Sequence, residues 1–205
     1  MEMNLEEAYF ANGGPEDGVE LTFQGATQVV GTSSVVLLVL TDDEQRRQIT
    51  ILSDKAAERE LLLRKGDATV TRELLPEVLC AVFPEMCAEN FHLYIYGVDD
   101  GRYLVLLVDR KTLDMTPIRI SDAILLSQVA RLSILINRRL FEQQSAPFDA
   151  TSRRMALPLN TLSMEMLSKT LDKAVAAENY EMASMVKEEM EKRRRQSSNT
   201  ENSEQ

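Results

Sequence analysis

Residues 91–110 read FHLYIYGVDDGRYLVLLVDR. Two runs rich in aromatic and β-branched residues flank Val98-Asp99-Asp100-Gly101. An Asp-Gly step supplies residues that tolerate positive φ, so the stretch predicts a β-hairpin with Asp99 and Asp100 at its turn. His92 alternates with Tyr94 and Tyr96, which places the three on one face of the first strand.

Upstream, NGGPEDG at 12–18 is dense in turn formers and marks the start of the folded part. VELTFQGATQVV (19–30) and SSVVLLVL (33–40) are β-branched runs separated by Gly31-Thr32. The polar TDDEQRR (41–47) reads as a turn and QITIL (48–52) as a third strand of a meander. Good helix formers follow a Ser-Asp start in SDKAAERELLLRK (53–65), with Gly66 as the stop. TRELLPEVLCAVF (71–83) predicts a second helix whose Leu75, Val78, Leu79 and Val82 form an apolar stripe at helical spacing, expected to face the core.

Downstream of the hairpin, residues 113–119 offer a further strand. ISDAILLSQVARL (120–132) begins a helix, and SILINRRLFEQ (133–143) reads as a short strand and a short helix. Strands in sequence broken by a few helices indicate an α+β fold, with a mostly antiparallel or mixed sheet flanked by helices. The expected organisation is an N-terminal extension (1–17), an α+β domain (18–144), a linker (145–160), a helical hairpin (161–195) and a disordered polar tail (196–205).

Composition narrows the function. The net charge of −10 opposes phosphate backbones unless positive charge is gathered locally. Arg138-Arg139 and Arg153-Arg154 are the sustained positive positions before the tail, with a solvated surface as their ordinary role. The single histidine, His92, excludes hydrolases built on paired histidines and histidine-rich metal sites. Phosphodiester chemistry would therefore rest on carboxylates, with a divalent ion that prefers oxygen ligands. Cys80 and Cys87 are seven apart, which suits one helical face and small buried side chains, and two cysteines make neither a zinc site nor a disulfide framework. No run approaches the ~18 apolar residues of a membrane span, and the acidic start MEMNLEEAYF lacks a basic leader. A cytoplasmic protein with no membrane association is expected.

In residues 161–195, Leu167, Leu171, Ala174 and Val175 share one face, and Tyr180, Ala183, Val186 and Met190 form a second stripe. Asn179 stands between them as a break or cap, and Lys192 to Arg195 are expected to complement the dipole at the end of the second helix. The segment from Leu167 to Met190 resembles the UVR motif, the helical hairpin at the C-terminus of the excision-repair protein UvrB. Tyr180, Glu181, Ala183, Ser184, Val186, Lys187, Glu188, Glu189 and Met190 carry the match, with lysine for the usual arginine and serine for an alanine. The resemblance implies a protein partner held through 161–195. A hairpin this short cannot bury its apolar face alone and must pack on the first domain, on its own copy or on another protein.

The remaining stretch is RISDAILL (119–126). Ser121 suits a helix N-cap and Asp122 the first turn, where negative charge is favoured, and this is the reading the residues themselves favour; the alternative is a reaction site. Arg119 suits either a neighbouring acid or a phosphate oxygen. The order of strands, the Asp100-Gly101 hairpin and Arg-x-Ser-Asp-Ala-Ile before an apolar helix resemble the bifunctional nuclease family. QITILSDKAAERELLL and TRELL extend the likeness, while Leu52, Lys55 and Thr71-Arg72-Glu73 depart from the family's usual glycine, glutamate and Thr-His-Asp. The resemblance implies a homo-oligomeric α+β domain with nuclease activity on DNA or RNA. Under it Asp122 and Glu73 would hold Mg2+ or Mn2+, with Arg119 and Ser121 beside them. The alternative is a catalytically inactive scaffold that recruits a repair or proteolysis partner.

Overall fold

The structure is a computed structural model that describes residues 5–10, 14–29, 35–64, 69–148, 154–155 and 159–202. The chain divides into two compact units, Met1–Asp99 with Tyr103–Ala156, and Asp100–Arg102 with Leu157–Gln205. In chain order the first half holds α1 (Leu5–Phe10), β1 (Val19–Val29), β2 (Val35–Asp42), β3 (Arg47–Asp54), α2 (Lys55–Leu63) and α3 (Leu75–Val82). Then come β4 (Phe91–Asp99), β5 (Arg102–Asp109), β6 (Met115–Arg119), α4 (Ile120–Ala130), β7 (Ile134–Ile136) and α5 (Arg138–Gln144). β8 (Ala146–Pro147), β9 (Arg154–Met155), α6 (Met164–Ala176) and α7 (Tyr180–Asn202) complete the chain.

Among the described residues the strands form one sheet in the order β6-β5-β4-β7-β1-β2-β3-β8, with β9 paired to β1. β4–β7 and β1–β9 are parallel, whereas β1–β2, β2–β3, β1–β7 and β5–β6 are antiparallel. The fold is thus α+β with a mixed sheet, as the sequence indicates. Asp100 and Gly101 take φ of 44° and 78° at the β4–β5 turn, the left-handed pair that a two-residue hairpin demands. A bulge between Phe23 and Gly25 lets Phe23 and Ala26 pack toward the same core.

Alternation along the strands builds two cores. Leu93 and Ile95 of β4 join Val36, Leu38, Leu40, Ile49 and Ile51 on the main face, closed by Leu61 of α2, Ile124 of α4 and Phe141 of α5. Tyr94 meets Tyr9, Leu106 and Val108 in a smaller cluster. Val36 to Leu40 are all buried, the mark of a strand covered on both faces, and this is why β2 reads as an unbroken apolar run. α1 lies in the segment read as an N-terminal extension. It sinks Tyr9 beside His92, to whose Nε2 the phenol hydrogen-bonds at 2.9 Å.

α2 begins as its sequence predicts, with the Asp54 carboxylate accepting from the Ala57 amide at 2.9 Å. Gly66, its expected stop, and Gly31-Thr32 lie outside the described residues. Four expectations are corrected. The α3 stripe is not core: Leu75 is 77 % and Val82 65 % exposed, and no residue of α3 is buried. α3 is eight residues long and meets α4 over part of its circumference, so periodicity identified an apolar face with nothing among the described residues to cover it. Cys80 and Cys87 are half-buried free thiols and share no helix, because α3 ends at Val82. Ser121 is not the N-cap of α4. β6 runs straight into the helix, Arg119 holds the capping position in extended backbone, and no side chain caps it. Lastly, Lys192 to Arg195 fall inside α7, which continues to Asn202, so they do not sit at its dipole end.

The second unit is a helical pair. Ser163 caps α6 through the Met166 amide, and Asn179 caps α7 through the Met182 amide at 3.1 Å. Leu167 and Val186 are fully buried between the helices together with Leu162, flanked by Leu171, Met182 and Met190. Arg193 donates to the main-chain carbonyls of Leu159 and Leu162 and pairs with Glu189. Val175 and Tyr180, which belong to the predicted stripes, remain exposed. No helix among the described residues is long and apolar enough to cross a membrane.

Candidate functional site

β6 is the edge strand of the sheet, where Pro117 is tolerated because an edge position does not require every main-chain donor. Its last residue, Arg119, turns the chain directly into α4. One turn on, the Asp122 carboxylate comes back to the Arg119 side chain and accepts from Nε at 2.7 Å. The guanidinium is 76 % and the carboxylate 43 % exposed, so the pair stands in solvent and contributes on the order of 0.2–1 kcal/mol. Asp122 also lies in the first turn of α4, near the positive end of the helix dipole. Ser121, one residue into the helix, is half-buried beside them.

Glu73 is exposed in the turn that leads into α3, where the Leu74 amide donates to the Thr71 carbonyl at 2.9 Å. No hydrogen bond or ion pair joins it to Arg119 or Asp122. The structure therefore brings Arg119, Ser121 and Asp122 together through chain continuity and leaves Glu73 at the start of another helix. Among the described residues no group of three or more histidine, cysteine or acidic side chains is placed to hold a metal ion.

His92 is buried and takes no part in this surface. Burial, and then the charge of Arg110, pull its pKa down from 6.5 to about 4, so the imidazole is neutral at pH 7. Asn137 donates to the Tyr94 hydroxyl at 3.4 Å nearby, and burial raises the Tyr94 and Tyr9 phenols. Of the arginines that the sequence singled out, Arg138 is paired with Asp17 at 3.1 Å, and Arg153 lies outside the described residues.

Positive charge gathers instead at the other end of α4. Arg110 and Arg131 line one cleft with Glu20, and the sequence reading passed over both. The one local signal was Arg131, an arginine at the helix C-cap with φ of 55°, where glycine is customary.

The family model described as Bifunctional nuclease domain matches residues 38–149, from within β2 to just beyond β8 and across Arg119, Ser121 and Asp122. No curated protein matches the chain. The matched region exceeds half of the 205 residues and takes in most of the sheet with α2 to α5. The chain belongs to the bifunctional nuclease domain family.

Proposed function

We propose that the chain is a nuclease-like phosphodiesterase acting on DNA or RNA, and that its C-terminal helical pair is a UVR-like module for binding a protein partner. The observation that carries the first part is the position of the Arg119–Asp122 pair: 2.7 Å apart, open to solvent, inside the matched family region. A solvent-facing guanidinium can exchange its carboxylate for a phosphate oxygen and steady charge that develops on phosphorus. Release from Arg119 then frees Asp122 to orient a water or to accept its proton. Ser121 adds a hydroxyl and a helix N-terminal amide on the same turn. Glu73 is the second acid of the proposal. So thin a carboxylate set suits an ion that keeps several waters and completes its shell with substrate phosphate. Mg2+ or Mn2+ arriving in that way would neutralise charge at the scissile phosphate.

The hairpin supports the second part. Leu171, Val175, Tyr180 and Ala183 line an open groove of about 670 Å³ between its helices, with Val175 and Tyr180 largely exposed. A partner helix with an apolar stripe fits such a groove. The exposed α3 face suits a homo-oligomer, and the two free thiols suit a reducing cytoplasm. A second reading, an inactive scaffold that recruits a repair or proteolysis partner, is favoured by the lack of a metal-grade cluster among the described residues.

One assay separates the readings. Purified chain is incubated with single- and double-stranded DNA and RNA in Mg2+ or Mn2+, beside Asp122→Ala. The nuclease reading expects cleavage by the wild type and a loss of about a hundredfold or more in the variant. Equal cleavage by both proteins rejects Asp122 and points to a contaminant; no cleavage by either leaves the scaffold.

A further inference from the structure

Asp122 and Arg131 stand nine residues apart on α4, roughly 14 Å along the axis. The Arg131 end opens on a cleft of about 450 Å³ walled by β1, β7 and the last turn of the helix. We infer that this cleft binds a phosphate ester of mononucleotide size, with Arg110 and Arg131 on the phosphate and Phe23 on the apolar side.

Charge is the first argument. The chain carries ten more acids than bases, yet this cleft is lined by two arginines and a single acid, Glu20. Among the described residues neither arginine has a carboxylate within ion-pair reach, in contrast to Arg64, Arg119, Arg138 and Arg193. Two guanidiniums in one concavity of an acidic protein, with no ion-pair partner among the described residues, offer an anion a local well within a repulsive field.

Preorganisation is the second. Nε of Arg110 donates to the Ala88 and Phe91 carbonyls and its Nη2 to the Ser133 hydroxyl at 3.0 Å, which fixes the guanidinium plane and leaves Nη1 for a ligand. Arg131 holds a left-handed backbone that most side chains resist, a strain common where a side chain is needed in place. Gln128, exposed on the preceding turn, adds an amide to the same wall. Size is the third. The volume lies in the range of small-molecule sites and far below what a duplex needs, and Phe23 gives it an aromatic side.

The inference does not depend on the phosphodiesterase reading, and its test keeps the two apart. Calorimetric titration of the full chain with adenosine 5′-monophosphate, and separately with inorganic phosphate, is expected to give saturable nucleotide binding at least tenfold tighter than phosphate. Arg131→Gly should weaken nucleotide binding tenfold or more without lowering the melting temperature, because glycine takes φ of 55° freely. Arg131→Lys should retain part of the affinity, and Asp122→Ala all of it. Unchanged affinity in Arg131→Gly, no saturable binding by the wild type, or phosphate bound as tightly as the nucleotide would each overturn the inference.

Discussion

His92 is the chain's single histidine, 3 % exposed, with Nε2 on the Tyr9 hydroxyl and Nδ1 without a partner among the described residues. Its folded pKa of about 4 lies below the ordinary 6.5, so between those values the unfolded chain binds a proton that the folded chain refuses. Stability from this residue is therefore complete above pH 6.5, falls as the pH drops, and levels off once the folded imidazole also protonates near 4. The slope is at most about 1.4 kcal/mol per pH unit, and the whole loss at most about 3.4 kcal/mol. Urea unfolding of wild type and His92→Gln between pH 7.5 and 4.5 checks this. The difference between the two curves should shrink as pH falls, because the variant lacks the titrating group. Parallel curves would mean that the Tyr9 contact tolerates the imidazolium. Such a residue shows how burial, and not catalysis, produces a displaced pKa.

Elements that declare themselves locally were legible in the sequence. The hairpin follows from alternation around Asp100-Gly101, and α2 and α7 from the caps Asp54 and Asn179, since each rests on residues adjacent in the chain. The Arg119 cap was not legible, because a strand that enters a helix without a loop leaves no flank for Ser121 to occupy. Nor was the Arg110–Arg131 cleft, whose walls come from segments more than a hundred residues apart. The α3 stripe shows the same limit most clearly. Helical spacing of Leu75, Val78, Leu79 and Val82 reports that a face is apolar, and only tertiary contacts decide what covers it. This exposure has a measurable consequence. Leu75→Ser with Val82→Ser should cost less than about 1 kcal/mol in dilute solution, as surface changes do. Ile124→Ala, in the fully buried part of α4, should cost about 2–5 kcal/mol. A double-variant loss as large as that of Ile124→Ala would place the α3 face in a stable interface even at low concentration.

At the scale of the whole molecule, 33 acids against 23 bases set the terms on which any polyanion approaches. A basic nucleic-acid binder gains affinity by releasing counterions, and with 6–10 phosphate contacts it loses about 10³–10⁵ between 50 and 200 mM salt. A chain of net charge −10 meets the opposite field: long-range repulsion extends about 30 Å at 0.01 M salt and about 10 Å at 0.1 M. Fluorescence anisotropy with a 30-nucleotide single strand should therefore show affinity that is flat or rises between those two concentrations. A short phosphate ester, which feels mainly the two arginines of the cleft, should instead bind less tightly as salt increases. The opposing trends follow from distance, since a long strand crosses the acidic surface while a mononucleotide occupies only its positive pocket. A steep loss of strand affinity with salt would mean that basic side chains form a continuous track that the charge balance conceals. In that event the nucleic-acid surface would have to be sought along that track.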